Sequence, residues 1–167
     1  MNDGYEEILV KRQKTPKDTL VKGLVIGVVA VLLAGGIFFF NPIFLAAGMV
    51  LGMLAYYLIL PMLDLEYEYL YVGGDIDIDK IMAKRKRKKV ASYSKDSLEV
   101  MAPTGSEHLR SFLGNLKVKD YTSGDTEKKT WTLVYGDEQG SEAVCLELTG
   151  EIAQDMRRFA PRKVFFD

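Results

Sequence analysis

Six consecutive bases, Lys84-Arg85-Lys86-Arg87-Lys88-Lys89, are the strongest chemical signal in this 167-residue chain. Charges packed this closely repel one another and bind what is acidic. Successive side chains on a β-strand point to opposite faces, so the run must present bases on both sides and belongs in a loop or on an exposed edge. Three readings stay open. The run contacts anionic lipid headgroups, each base near the surface contributing about 1 kcal/mol at best. It binds nucleic acid or another acidic partner. Or it is a solvated edge, neutralised in part by Asp75, Asp77 and Asp79 just before it. From Asp64 onward the chain holds 19 acids and 17 bases, so any basic surface is local.

Other candidate chemistry is thin. Asp75-x-Asp77-x-Asp79 has the start of a calcium loop, but Lys80 and Lys86 stand where an EF-hand needs Gly and Glu. In a strand the three carboxylates line one exposed face. His108 and Cys145 are the single residues of their types, with no zinc spacing, nucleophile elbow, phosphate loop or dinucleotide fingerprint around them. Cys145 alternates with Val144 and Leu146 and faces away from them, as a packing or surface cysteine. A lone cysteine forms no intramolecular disulfide. The expectation is a non-enzymatic protein without catalytic residues, cofactor or metal.

The element that positions everything else is the apolar middle, Leu20–Leu63. Leu20–Phe40 and Ile43–Leu63 are membrane-length runs of about 31 Å each, separated by Asn41-Pro42. They predict a transmembrane helical hairpin with a tight turn, since Pro ends one helix and can begin the next. Leu24–Leu63 carries no charge, and the absence of a buried acid or base argues against a pump or transporter. The run is too long for a signal-peptide core and lacks a cleavage site. Lys11, Arg12, Lys14 and Lys17 precede it, Lys22 lies at its very start, and the turn carries no base. The positive-inside rule then places both termini in the cytoplasm, at the cell membrane. Tyr56 and Tyr57 are candidate interfacial anchors. Gly23-x-x-x-Gly27, Gly35 and Gly48-x-x-x-Gly52 allow close helix approach, within the hairpin or between copies in a homo-oligomer.

Residues 1–19 form a basic lead-in. Tyr5, Ile8 and Leu9 suit a short amphipathic turn at the membrane surface, or a frayed terminus. Thr15-Pro16-Lys17-Asp18 is a capping box with Asp at N3, so the first helix starts near Pro16. Residues 64–167 form one soluble domain. Strands are predicted at Glu66–Val72, Asp75–Asp79, Lys88–Tyr93, Leu98–Ala102, Leu116–Tyr121, Thr130–Tyr135 and Ala143–Leu148, with turns at Gly73-Gly74 and other breaks. Trp131, Leu133 and Tyr135, then Val144, Leu146 and Leu148, share inward faces. Glu107–Leu113 reads as a short helix or loop. Thr149 caps a last helix with an apolar stripe of Ile152, Met156 and Phe159, closed by Pro161. Six or seven antiparallel strands followed by one amphipathic helix resemble the pleckstrin-homology-like (PH-like) fold, a curved sheet or open barrel capped by its last helix.

The whole chain also resembles a family of small clostridial membrane proteins, a domain of unknown function in which a two-span hairpin precedes a PH-like domain. The residues that carry this are the runs Leu63–Val72 and Asp75–Val90 and the segment Ala160-Pro161-Arg162-Lys163-Val164. The resemblance implies fold and membrane setting and brings no activity. Taken together, the expectation is an anchored interaction or scaffolding module whose partners are membrane lipids and an unidentified protein, with nucleic acid not expected. The alternative is an accessory subunit of a larger membrane complex, bound through the hairpin.

Overall fold

The computed structural model describes residues 4–114, 116–137 and 140–167. They form two compact units. One contains the two apolar helices, residues 13–65 and 82–86; the other contains the chain up to Arg12 with residues 66–81 and 87–167.

In the helical unit, α1 (Pro16–Phe38) begins at the expected capping box. The Thr15 Oγ1 accepts from the Asp18 N–H, and Asp18 accepts from the Thr15 N–H at 2.8 Å. α1 ends in a Schellman motif. The Asn41 N–H reaches the Gly36 carbonyl at 2.9 Å, and Phe40 takes the left-handed conformation (φ 49°) that glycine usually supplies. Asn41 then caps α2 (Pro42–Leu54) by accepting from the Ile43 N–H at 3.0 Å. Helix continues through a π-helical turn, Ala55–Ile59, and a last turn, Leu60–Met62. Pro61 explains the π turn: it has no N–H for the Tyr57 carbonyl and its ring crowds that carbonyl. Widening to an i→i−5 bond, Leu60 N–H to Ala55 C=O, relieves the crowding. The helices Pro16–Phe38 and Pro42–Met62 are long and apolar enough to cross a membrane.

The second unit is built on two four-stranded sheets. The first has the order β1–β2–β3–β4, from β1 (Tyr5–Lys11), β2 (Leu65–Val72), β3 (Asp75–Met82) and β4 (Lys86–Tyr93). The second has the order β5–β7–β8–β6, from β5 (Leu98–Pro103), β6 (Val118–Asp120), β7 (Trp131–Asp137) and β8 (Gly140–Leu146). A core of Tyr69, Tyr71, Ile76, Ile78, Trp131, Leu133, Val144 and Leu146 joins them to the C-terminal helix Gly150–Phe159. A smaller cluster, Val100, Ala102, Leu109, Val134 and Ala143, covers the other face of the second sheet. Among the described residues the sheets do not close into a barrel.

Three expectations need correction. Tyr5, Ile8 and Leu9 do not form a helical turn: their segment is β1, antiparallel to β2 with Ile8 opposite Tyr69. The i, i+3, i+4 spacing was ambiguous, and burial of Val10 in one core with Tyr67, Tyr69 and Tyr71 decides it. The strands are not all antiparallel. β6 is shorter than Leu116–Tyr121 and runs parallel to β8, Lys119 opposite Val144. The loop that follows it is tied to the end of β8 by the buried Glu147, which accepts from the Ser123 N–H and the Lys128 ammonium. Last, Phe159 is exposed, and Ala153 joins Ile152 and Met156 on the buried face of the C-terminal helix.

Candidate functional site

The basic run lies on the β3–β4 hairpin. Its tip is Met82-Ala83-Lys84-Arg85, closed by Arg85 N–H to Met82 C=O at 3.1 Å. Ala83 and Lys84 both have positive φ, 48° and 56°. Such a two-residue turn matches the twist of paired strands but is normally built from Asn-Gly. For residues with a Cβ the left-handed conformation costs roughly 1–2 kcal/mol each. Two anchors hold the tip in place. The Ala83 N–H donates to the Asp64 carbonyl at 2.8 Å, and the Arg85 guanidinium donates to the Tyr56 hydroxyl at 3.3 Å. Residues 82–86 therefore belong to the compact unit of the helices. Lys84, Arg85 and Lys86 stand beside the end of the second apolar helix, where Tyr56 and Tyr57 are exposed.

Arg87, Lys88 and Lys89 continue along β4, an edge strand of the first sheet. All six bases are exposed, yet they are not equivalent. Arg87 pairs with Glu68 and with Asp79 at 3.3 Å. Lys89 pairs with Asp77 at 2.7 Å, and Ser92 donates to the same carboxylate. The hydrogen bond from Lys89, then that from Ser92, holds the Asp77 carboxyl below the ordinary aspartate range. Among the described residues Lys84, Lys86 and Lys88 have no ion-pair partner. Partial neutralisation by the preceding acids thus accounts for Arg87 and Lys89 but leaves three lysines unmatched.

The remaining sequence candidates are dispersed. Asp75 accepts from the Ser94 hydroxyl and the Lys95 N–H, so each acid of Asp75, Asp77 and Asp79 has its own donors. No group of three metal-ligating side chains gathers among the described residues. His108 stacks on Phe165 at 3.9 Å with its Nε2 3.6 Å from the Asp167 carboxylate. Cys145 is buried beside the Thr104 hydroxyl, 3.4 Å away.

The glycines divide in the same way. A Cβ at Gly48 would lie 2.8 Å from Leu33, and one at Gly52 would lie 3.4 Å from Val29, so both face α1. Gly36 is the tightest point, 2.8 Å from the Leu45 backbone nitrogen, and sequence reading passed over it in favour of its neighbour Gly35. Gly23, Gly27 and Gly35 meet nothing within 4 Å. Sequence also missed the anchors of the hairpin tip, Asp64 and the Tyr56–Arg85 bond. Its only trace was the tyrosine pair in the second apolar run.

Two sheets sharing a core with a C-terminal helix define a PH-like domain, here carried with an apolar helical hairpin. Residues 2–166 match the family model of the bacterial PH-like domain DUF6106, and the chain belongs to that family, whose function is unknown. The match is bacterial and does not narrow to clostridia. No curated protein and no solved structure matches the chain.

Proposed function

We propose that this protein is a non-catalytic module, anchored in the cell membrane by its helical hairpin, that uses the basic β3–β4 tip to contact anionic headgroups. The observation that carries the reading is the placement of Lys84, Arg85 and Lys86 beside the end of an apolar helix, fixed by Tyr56 and Asp64. A strained turn of Ala and Lys in place of Asn-Gly supports it, because backbone strain of this kind collects where a side chain has a task. Headgroup phosphates supply the acceptors that Lys84 and Lys86 lack among the described residues, and the negative inner leaflet concentrates them there. Bases in the lead-in favour a topology with both termini on the cytoplasmic side. The domain held there acts as an interaction or scaffolding surface.

Lysine acylation of the full chain in lipid nanodiscs tests the contact. Lys84 and Lys86 should be protected in anionic bilayers relative to neutral ones, with protection lost as salt rises. The exposed Lys117 should react alike in both. Equal reactivity of Lys84 in both bilayers would remove the lipid role. Reporter fusions at the C-terminus check the topology. A second reading, an accessory subunit of a membrane complex, is favoured by the open face at Gly23, Gly27 and Gly35. It predicts a stoichiometric partner lost on Gly27→Leu.

A further inference from the structure

Unpaired sheet edges recruit strands unless something prevents it. The two sheets of the PH-like unit have four edges, formed by β1, β4, β5 and β6. β5 is covered by the C-terminal tail: the Met101 N–H donates to the Lys163 carbonyl at 2.8 Å, and the Phe165 N–H to the Met101 carbonyl at 2.9 Å. β6 has three residues. β4 opens with four consecutive bases, so pairing with its own copy would stack like charges.

β1 is different. It has seven residues, with Tyr5 62% and Leu9 59% exposed. Gly73 N–H donates to the Gly4 carbonyl at 2.9 Å, which sets the alternation. Gly4, Glu6, Ile8 and Val10 turn their backbone groups to β2, and Tyr5, Glu7, Leu9 and Lys11 turn theirs outward. Among the described residues those outward groups have no backbone partner.

We propose that β1 pairs with β1 of a second copy of this chain, antiparallel about a two-fold axis at Leu9, joining the two first sheets into one. Symmetry selects the register. A two-fold axis normal to the sheet keeps each side chain on its face, so the axis must pass through a residue and not between two. Centred on Glu7, two carboxylates meet. Centred on Ile8, Glu7 falls opposite Leu9. Centred on Val10, Leu9 falls opposite Lys11. Centred on Leu9, Glu7 falls opposite Lys11 twice, Leu9 opposite Leu9, and Ile8 opposite Val10 on the core side. That register alone matches charge with charge and apolar with apolar, and its outward backbone groups form the hydrogen-bonded pairs.

The test measures the mass of the full chain in nonionic detergent over a concentration series. The wild type should dimerise. Glu7→Lys and Lys11→Glu should each weaken the dimer roughly tenfold, since each places like charges opposite one another at two symmetric positions. The double variant should restore it. Leu9→Pro removes an outward N–H without touching the β1–β2 ladder and should abolish the dimer. Thermal melts show whether each variant is folded. A wild type that stays monomeric, or a dimer indifferent to the charge swap, overturns the proposal. So does a dimer lost only on Gly27→Leu, which would be held by the helices. The headgroup contact is independent of this outcome, because no β1 residue takes part in it.

Discussion

Four tyrosine hydroxyls in the PH-like unit show how unequal similar residues become once folded. Tyr69 donates to the Tyr121 carbonyl at 2.6 Å, Tyr71 to Asp155 at 2.7 Å, and Tyr93 to Glu142. Tyr135 is buried, and among the described residues its hydroxyl has no partner. A buried polar group without a partner carries its desolvation cost of about 1–3 kcal/mol uncompensated, whereas a bonded one contributes about 1 kcal/mol net. Tyr135→Phe should therefore leave stability unchanged or raise it by about 1 kcal/mol, keeping the stack on Tyr93 at 4.5 Å. Tyr69→Phe should lower it by about 1–2 kcal/mol, because the Tyr121 carbonyl also loses its donor. Chemical unfolding of the two variants against wild type decides between these signs. Sequence alternation placed Tyr135 on an inward strand face and Tyr69 and Tyr71 within a strand, but it could not say which hydroxyl is satisfied. The partners lie 52 and 84 residues away for Tyr69 and Tyr71.

Among the elements, the helical hairpin has the clearest internal contact. Gly36 meets Leu45, Gly48 meets Leu33 and Gly52 meets Val29, an antiparallel register in which the contacting residue numbers keep one sum. Gly48→Leu should force the helices apart and cost about 1–3 kcal/mol in a detergent unfolding titration. Gly27→Leu should leave that titration unchanged, as its surroundings are open. A loss at Gly27 equal to that at Gly48 would refute this register. Much of this element was legible beforehand. The uncharged run, the Thr15–Asp18 box and the Asn41-Pro42 break are local signals, and the structure contains each of them. β1 was hidden because a seven-residue segment with Tyr5, Ile8 and Leu9 fits two periods. Its pairing with β2 also spans the whole hairpin, and nothing local reports such a contact. The direction of β6 was hidden for a related reason: alternation shows which residues face the core and never which way a neighbouring strand runs. For the candidate site, the basic residues were obvious and their division was not. That division depends on Glu68, Asp77 and Asp79 across the sheet, and on Tyr56 from the second apolar helix.

At the scale of the whole molecule, the raised tyrosines predict that the two units should respond differently to alkali. Burial raises Tyr67, Tyr69, Tyr71, Tyr93, Tyr121 and Tyr135 above the ordinary tyrosine range, with Asp155 adding to the effect at Tyr71 and Glu142 at Tyr93. In the unfolded chain these phenols ionise near the ordinary value of about 10. A folded value raised above the unfolded one favours the protonated, folded state. The contribution is whole below pH of about 10 and is lost as pH climbs through the folded values. All six tyrosines lie in the PH-like unit. That unit should therefore unfold cooperatively on the alkaline side, with tyrosinate absorbance and loss of near-UV signal from Trp131 rising together. The hairpin has no tyrosine in its helix–helix register and should keep its far-UV helical signal through that transition when held in detergent or bilayer. Both signals recorded in one pH titration provide the check. Tyrosinate appearing gradually, well before the Trp131 signal falls, would mean that the phenols ionise within a folded domain. The sheet tyrosines would then not be the groups that limit alkaline stability.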